Sequence, residues 1–250
     1  MNTYYSKNNQ KTCLVFVTHV LSQDILKYMS YLKNCTKGIM DMLILYDNAH
    51  NHIKLEDYPG YAFYCFNSDT LDGFFHMGDR RLPNTLVALL ACRKFHEYEK
   101  YLVVENDIVL NGDFRLFASR IIQEGQNTDY MHIASDPLGA PQAHWPIRLI
   151  RDNPYSELRF AWCQMFFVSS RFLNALQKNV ELNNSIHFEF LMTTLAYQKA
   201  FTIKKFENFG YRFDVSWGPA EEFEIRYKYG RQANTFYHPI KNLSLISFLN

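Results

Sequence analysis

The sequence predicts an α/β protein with a mostly parallel central sheet flanked by helices. Short apolar runs, rich in β-branched and aromatic residues, are typical of strands that are buried on both faces. Each run ends in small polar or acidic residues, and segments with helical periodicity lie between the runs. This alternation of strand and helix is typical of a doubly wound sheet.

The first half of the chain contains four predicted strands and two predicted helices. The strands are 13–18, 41–46, 61–66 and 102–105, and the helices are 24–32 and 84–95. Asp24 is a suitable cap for the first helix, and Pro83 suits the first turn of the second.

The second half is predicted to continue the same pattern before it becomes mixed and aromatic. A helix at 114–122, a strand at 130–134, a long loop at 137–154, a strand at 160–169, a helix at 170–177 and a helix from about 188 to 199 are expected, followed by a mixed region, 201–250. No linker or internal repeat divides the 250 residues, so one large domain is predicted.

Composition excludes several classes of protein. Hydrophobic residues make up 48% and charged residues 20%, with a net charge of +1, which argues against disorder and against a broad nucleic-acid-binding surface. The five cysteines are widely spaced without CxxC pairs, which argues against a disulfide framework or a structural zinc site. Neither a signal peptide nor a membrane span is visible, so a soluble, cytoplasmic protein is expected.

Two acids follow the strand at 102–105, with one amide between them. Glu105 and Asp107 lie two residues apart and project to the same side of an extended segment, whereas Asn106 faces the other way. Ligands of open α/β sheets bind beyond the carboxyl ends of the strands, and one or two carboxylates typically hold a divalent cation with substrate phosphate. The alternative is a solvated strand end followed by the turn at 111–113.

A second acid of interest lies between two phenylalanines. In apolar surroundings Glu189 would have its proton affinity raised, as a general base requires. The alternative is an acid at a helix N-terminus, which the helix dipole favours.

Several single residues are weaker candidates, each with an ordinary alternative. His238 in an extended segment could reach a metal and Lys241 a phosphate, although a lone histidine is more often packed or exposed. Arg81, before the helix at 84, could meet phosphate or a sugar hydroxyl, or lie in a solvated loop. Trp145 offers an aromatic face to a sugar ring, and a packing role is equally open.

Taken together, these features resemble the glycosyltransferases of the GT-A (Rossmann-like) fold. The resemblance rests on Tyr101 through Glu105 and Asp107 to Gly112-Asp113, on the acid that opens a late helix, and on the late His238-Pro-x-Lys241. In that family the acid-x-acid element, usually called DxD, binds Mn²⁺ or Mg²⁺ with the diphosphate of a nucleotide sugar. The chain departs from the family pattern at Glu105, where aspartate is commoner.

The resemblance implies roles for particular residues and regions. A single domain is implied, with a nucleotide-sugar-binding half at about 12–113 and an acceptor-binding half at about 114–250. The implied site consists of the catalytic base Glu189, the metal ligands Glu105, Asp107 and His238, the donor-binding residues Thr18, His19, Asp47, Arg81, Asn84, Asn106 and Lys241, and the acceptor-binding residues Trp145 and His187.

The implied activity is transfer of a sugar from a nucleotide-diphosphate sugar to a glycan or lipid-linked glycan acceptor, with inversion favoured. The implied setting is bacterial surface polysaccharide synthesis, of lipopolysaccharide or capsule, at the inner face of the membrane. A non-catalytic carbohydrate-binding protein remains an alternative. A sugar nucleotidyltransferase is another, but it normally carries a glycine-rich loop after its first strand, and residues 19–26 contain no glycine.

Overall fold

A computed structural model describes residues 11–49, 51–67, 84–133, 135–136, 155, 157–182, 188–216 and 218–246. Its strands are β1 (Thr12–Thr18), β2 (Asp41–Asp47), β3 (Ala62–Phe66), β4 (Lys100–Glu105), β5 (Val109–Asn111), β6 (Tyr130–His132), β7 (Ser135–Asp136), β8 (Phe160–Ala161), β9 (Met165–Ser169), β10 (Ile203–Lys205), β11 (Arg212–Val215) and β12 (Thr235–His238). Its helices are α1 (Gln23–Thr36), α2 (Asn84–Cys92), α3 (Phe114–Gly125), α4 (Ser170–Leu182), α5 (Phe188–Gln198) and α6 (Ala220–Gly230).

The main sheet has seven strands in the order β10-β6-β9-β4-β1-β2-β3. Strand β9 is antiparallel to both of its neighbours, and the other strands all run in one direction. The predicted α/β fold with a mostly parallel central sheet is therefore confirmed. Because the sheet is open and mainly parallel, the ends of β1, β2 and β4 meet at one edge.

Side chains alternate between the two faces of the main sheet, and each face is covered by helices. Leu102 and Val104 of β4 join the core that contains buried residues of α1 and α3. Tyr101 and Val103 join the opposite core, with α2, α4 and α5. The next residue of this second series is Glu105, which therefore extends towards the face covered by α5.

A second, three-stranded sheet has the order β11-β12-β5. Strand β5 begins just beyond the end of β4 and pairs antiparallel with β12, while β12 pairs parallel with β11. The sequence predicted only a turn near residues 111–113. The turn exists, but it follows a three-residue strand that is too short to show periodicity.

Some predicted boundaries were wrong. The single strand expected at 160–169 is two strands, β8 and β9, separated by Trp162, Cys163 and Gln164. The apolar run hides this break, because Trp162 and Cys163 are themselves packed in the core. Helices α1 and α4 continue past their predicted ends, and the loop expected at 137–154 lies outside the described residues.

The described part of the C-terminal segment packs in the interior. Leu243 and Ile246 are buried in the core that contains α1. Within the described ranges, no helix is long and apolar enough to cross a membrane.

Close packing beneath β9 generates a testable prediction. A Cβ on Gly125, the last residue of α3, would lie 2.6 Å from the ring of Phe167, which is buried in β9. Gly125→Ala should therefore lower the free energy of unfolding by about 1–3 kcal/mol, measured by urea denaturation. Gly230→Ala is the control, because a Cβ on this last residue of α6 meets nothing within 4 Å. Equal stability of the two variants would contradict the packing described here.

Candidate functional site

The two acids of the sequence motif lie on a short turn between β4 and β5. The N–H of Ile108 donates to the carbonyl of Glu105 at 3.3 Å, which closes the turn around Asp107. The buried hydroxyl of Tyr28 donates to the carbonyl of Ile108 at 2.7 Å and ties the turn to α1. Hydrogen bonds therefore hold the backbone of the turn that carries both acids.

Strand β12 brings His238 to this turn. Its pairing with β5 carries the chain back alongside the acids, and the N–H of Ile240 donates to the carbonyl of Asp107 at 2.8 Å. The histidine side chain is nearly buried, with 9% of its surface exposed, compared with 29% for Glu105 and 19% for Asp107. The three side chains therefore converge at the end of the main sheet.

The orientation of the His238 ring is fixed from behind. Its Nδ1 lies 3.1 Å from the carbonyl of Ser216, just after β11, and a carbonyl can only accept. Nδ1 therefore donates, and Nε2 points to the acids. A metal-ligating histidine is typically held by its other ring nitrogen in this way.

The geometry of the three side chains suits a divalent cation. Nε2 of His238 lies 3.2 Å from Oδ1 of Asp107 and 3.5 Å from Oε2 of Glu105. One ligand atom from each residue lies within 4.8 Å of the others, and among the described residues this is the group of acids, histidines and cysteines that could hold a metal. Octahedral Mg²⁺ bonds place adjacent ligand atoms about 3 Å apart. Two carboxylates and one imidazole could therefore hold a divalent cation.

The charges of the cluster are strongly coupled. Burial lowers the pKa of His238, but hydrogen bonds to Asp107 and Glu105, together with their charges, outweigh it and raise this pKa to about 9. Burial raises the pKa of Glu105, while the hydrogen bond from His238 lowers it. The raised pKa of His238 follows from the position of its ring between two carboxylates.

Glu189 lies on α5 and contacts the segment 163–164, which also contacts Glu105. It is the second residue of α5, 2% exposed, and its Oε1 accepts from the N–H of Cys163 at 3.4 Å. Burial raises its pKa from 4.5 to about 8; the Cys163 hydrogen bond opposes this, the charge of Glu105 adds to it, and that of His238 opposes it. The apolar environment predicted for Glu189 is present, and the raised proton affinity follows from it.

The residues predicted at the ends of β1 and β2 form turns at the same sheet edge. The hydroxyl of Thr18 donates to the carbonyl of Val20 at 2.8 Å, and Asp47 accepts the N–H of Ala49 at 3.1 Å. His19 is exposed at the end of β1. Asp47 lies two strand spacings, about 10 Å, from β4.

The structure describes some of the remaining predicted site residues and not others. Asn106 lies on the turn between the acids, and Lys241 is exposed, with its backbone N–H donating to Glu224 at 3.0 Å. Asn84 is the first residue of α2. Arg81, Trp145 and His187 lie outside the described residues.

Sequence reasoning missed two residues that border the cluster. Ser216 holds His238 through a backbone carbonyl, a contact that leaves no sequence signal. Gln164 is buried, and its carbonyl accepts the N–H of Glu105 at 3.0 Å. A single amide within the apolar run 160–169 was the available signal for this residue.

Comparisons with known proteins do not identify the chain. No protein-family model and no curated protein matches it. Among solved structures that resemble it is a Bacillus anthracis protein assigned as a glucose-1-phosphate thymidylyltransferase, crystallised with sucrose. It is 12% identical, with 78% of this chain and 86% of that chain covered and a TM-score of 0.46. This similarity assigns neither an activity nor a substrate.

The cluster predicts metal binding that depends on its three side chains. Mn²⁺ should bind the wild-type protein, and Asp107→Asn and His238→Gln should each weaken this binding by more than about tenfold. Loss of a residue that only hydrogen-bonds a metal ligand already weakens binding by about tenfold or more, and these variants change the ligands themselves. Electron paramagnetic resonance of free Mn²⁺, with and without UDP, GDP or dTDP, measures this. Asp24→Asn, which changes a half-exposed acid on α1, is the control. Equal Mn²⁺ binding by Asp107→Asn and Asp24→Asn would show that the cluster does not hold the metal.

Proposed function

We propose that this chain is a metal-dependent glycosyltransferase that moves a sugar from a nucleotide-diphosphate sugar to an acceptor hydroxyl. The observation that carries the proposal is a buried carboxyl, Glu189, joined to the metal cluster by the segment 163–164, which hydrogen-bonds Glu189 on one side and Glu105 on the other. A leaving diphosphate requires positive charge, and an acceptor hydroxyl requires a base. The two halves of the site supply these two requirements.

The donor would lie along the shared edge of β1, β2 and β4. Glu105, Asp107 and His238 would hold the cation, which when bound supplies charge against the diphosphate leaving group. Thr18, His19 and Asp47 border the position of the nucleoside, and Asn106, Arg81, Asn84 and Lys241 are proposed donor contacts. Lys241 is three residues beyond His238 and on the exposed surface, which suits contact with a phosphate.

The proposed step is a single displacement. The acceptor oxygen attacks the anomeric carbon and forms the new glycosidic bond as the bond from that carbon to the phosphate oxygen breaks. The hydroxyl proton passes to the Glu189 carboxylate, and the nucleoside diphosphate leaves with the electron pair. Burial is the main cause of the raised pKa of Glu189, and a cation held by Glu105 would offset the smaller contribution of the Glu105 charge. Attack from the face opposite the leaving group inverts the anomeric centre.

The metal cluster also suits a second candidate, a sugar nucleotidyltransferase, the class to which the Bacillus anthracis protein is assigned. In that reaction the attacking group is a sugar phosphate, which is already ionised and needs no base. Burial raises the pKa of the Glu189 carboxyl to about 8, which suits a residue that takes a proton from a hydroxyl. Glu189 therefore favours a hydroxyl acceptor.

The proposed acceptor is a glycan or lipid-linked glycan, with Trp145 and His187 as acceptor contacts. The proposed setting is cytoplasmic, at the inner face of a bacterial membrane, in synthesis of lipopolysaccharide or capsule. Both proposals rest on the resemblance of the acid-x-acid element and the late His-Pro-x-Lys to GT-A enzymes.

The base role predicts a specific change on substitution. Glu189→Gln keeps the shape of the side chain but cannot take a proton, so kcat should fall by about 10² to 10⁴ while Mn²⁺ and nucleoside diphosphate bind as before. The kcat of the wild-type enzyme should rise with pH as Glu189 loses its proton, at a pH above the usual pKa of a carboxyl group. The variant should not show this rise. Steady-state kinetics from pH 5 to 9 measures both effects.

Product analysis separates the two reactions. Incubation with Mn²⁺ and nucleotide sugars should release nucleoside diphosphate when a glycan acceptor is present, and Asp107→Asn should not release it. Formation of nucleoside triphosphate from a nucleotide sugar and pyrophosphate would instead establish the nucleotidyltransferase. A variant Glu189→Gln with full transferase activity would remove Glu189 from the mechanism.

A further inference from the structure

One buried amide beside the cluster has a side-chain oxygen that no described residue hydrogen-bonds. Gln164 is 4% exposed, and its side-chain oxygen has no hydrogen-bond partner among the described residues. A buried polar group without a partner destabilises a protein by about 1–3 kcal/mol. A methionine or leucine at this position would avoid that penalty.

The position of Gln164 is fixed by the main sheet. The β4–β9 register places Val104 opposite Met165, and the N–H of Glu105 donates to the carbonyl of Gln164 at 3.0 Å. Glu105 and Gln164 are therefore direct cross-strand neighbours. Side chains of such pairs lie on the same face, with their Cβ atoms about 5 Å apart.

The residue before Gln164 contacts the proposed base. The N–H of Cys163 donates to Glu189, so the segment 163–164 touches Glu105 on one side and Glu189 on the other. In the proposed reaction the metal ligands hold the diphosphate and Glu189 meets the acceptor. The transferred sugar would lie between those two groups, and the segment that carries Gln164 contacts both of them.

We propose that the Gln164 amide hydrogen-bonds a hydroxyl of the transferred sugar and helps to select the donor. This inference rests on the proposed function and deepens it. A sugar hydroxyl both donates and accepts, and a carboxamide offers an acceptor oxygen and a donor nitrogen to match. The bound sugar would supply a partner for the amide oxygen, so a sugar without that hydroxyl would leave this oxygen buried and unpaired.

The test compares two ligands that differ only in the sugar. Calorimetry with Mn²⁺ first measures how wild-type protein binds pairs of a nucleoside diphosphate and its nucleotide sugar. The pairs are UDP with UDP-glucose, UDP with UDP-galactose, GDP with GDP-mannose, and dTDP with dTDP-glucose. The pair that binds is then measured with the variants. In Gln164→Met the nucleoside diphosphate should bind within about twofold of wild type. The nucleotide sugar should bind about tenfold more weakly, the value of one hydrogen bond of about 1.4 kcal/mol.

Two further variants and one ligand series make the comparison specific. Gln198→Met changes an exposed glutamine on α5 and should alter neither affinity. Gln164→Asn keeps the amide but shortens it and should fall between wild type and Gln164→Met. Among nucleotide sugars that each lack one hydroxyl, one should bind wild type and Gln164→Met equally. This sugar lacks the hydroxyl that Gln164 contacts, so neither protein can form the hydrogen bond with it.

The outcomes separate the inference from the function on which it rests. Gln164→Met should melt at or above the melting temperature of the wild-type protein. It should lose affinity for the nucleotide sugar and keep its affinity for the nucleoside diphosphate. Equal loss of affinity for both ligands, a lowered melting temperature or no change in either affinity would overturn the role of Gln164 and leave the transferase proposal standing. Wild-type protein that binds none of the nucleotides with Mn²⁺ would overturn both.

Discussion

The contact of His238 with Glu105 and Asp107 is the interaction around which the rest of the chain is arranged. The acids come from the end of the main sheet, and the histidine comes from the second sheet, more than one hundred residues later. Strand β5 connects the two, because it follows the acids directly and pairs with β12. The second sheet therefore positions the His238 side chain at the edge of the main sheet.

This arrangement places like charges close together at a partly buried site. The two carboxylates raise the pKa of the His238 imidazole against the effect of burial, and burial raises the pKa of Glu105. Glu189 and Gln164 add two more buried polar side chains on the same side. Groups of this kind reduce stability in an apolar environment, and their concentration at one sheet edge is typical of a binding or catalytic site.

Much of this site could be predicted from sequence, for identifiable reasons. The end of β4 was visible because an apolar run stops at two acids, and Glu189 was visible because it is a lone acid among phenylalanines. The pairing of β5 with β12 was not visible, since short strands distant in sequence carry no periodic signal. The sequence therefore gives little support to His238, which the two sheets bring to 3.2 Å from Asp107. Gln164 was missed because the break between β8 and β9 is apolar in composition.

The most direct test of the central claim is a crystal structure of the protein with Mn²⁺ and the nucleoside diphosphate that binds it, with anomalous scattering recorded to locate the metal. The account predicts a manganese peak bonded to Asp107 and His238, with diphosphate oxygens completing its coordination and the nucleoside extending along the ends of β1 and β2. A nucleotide bound elsewhere, or a manganese peak distant from His238, would contradict it.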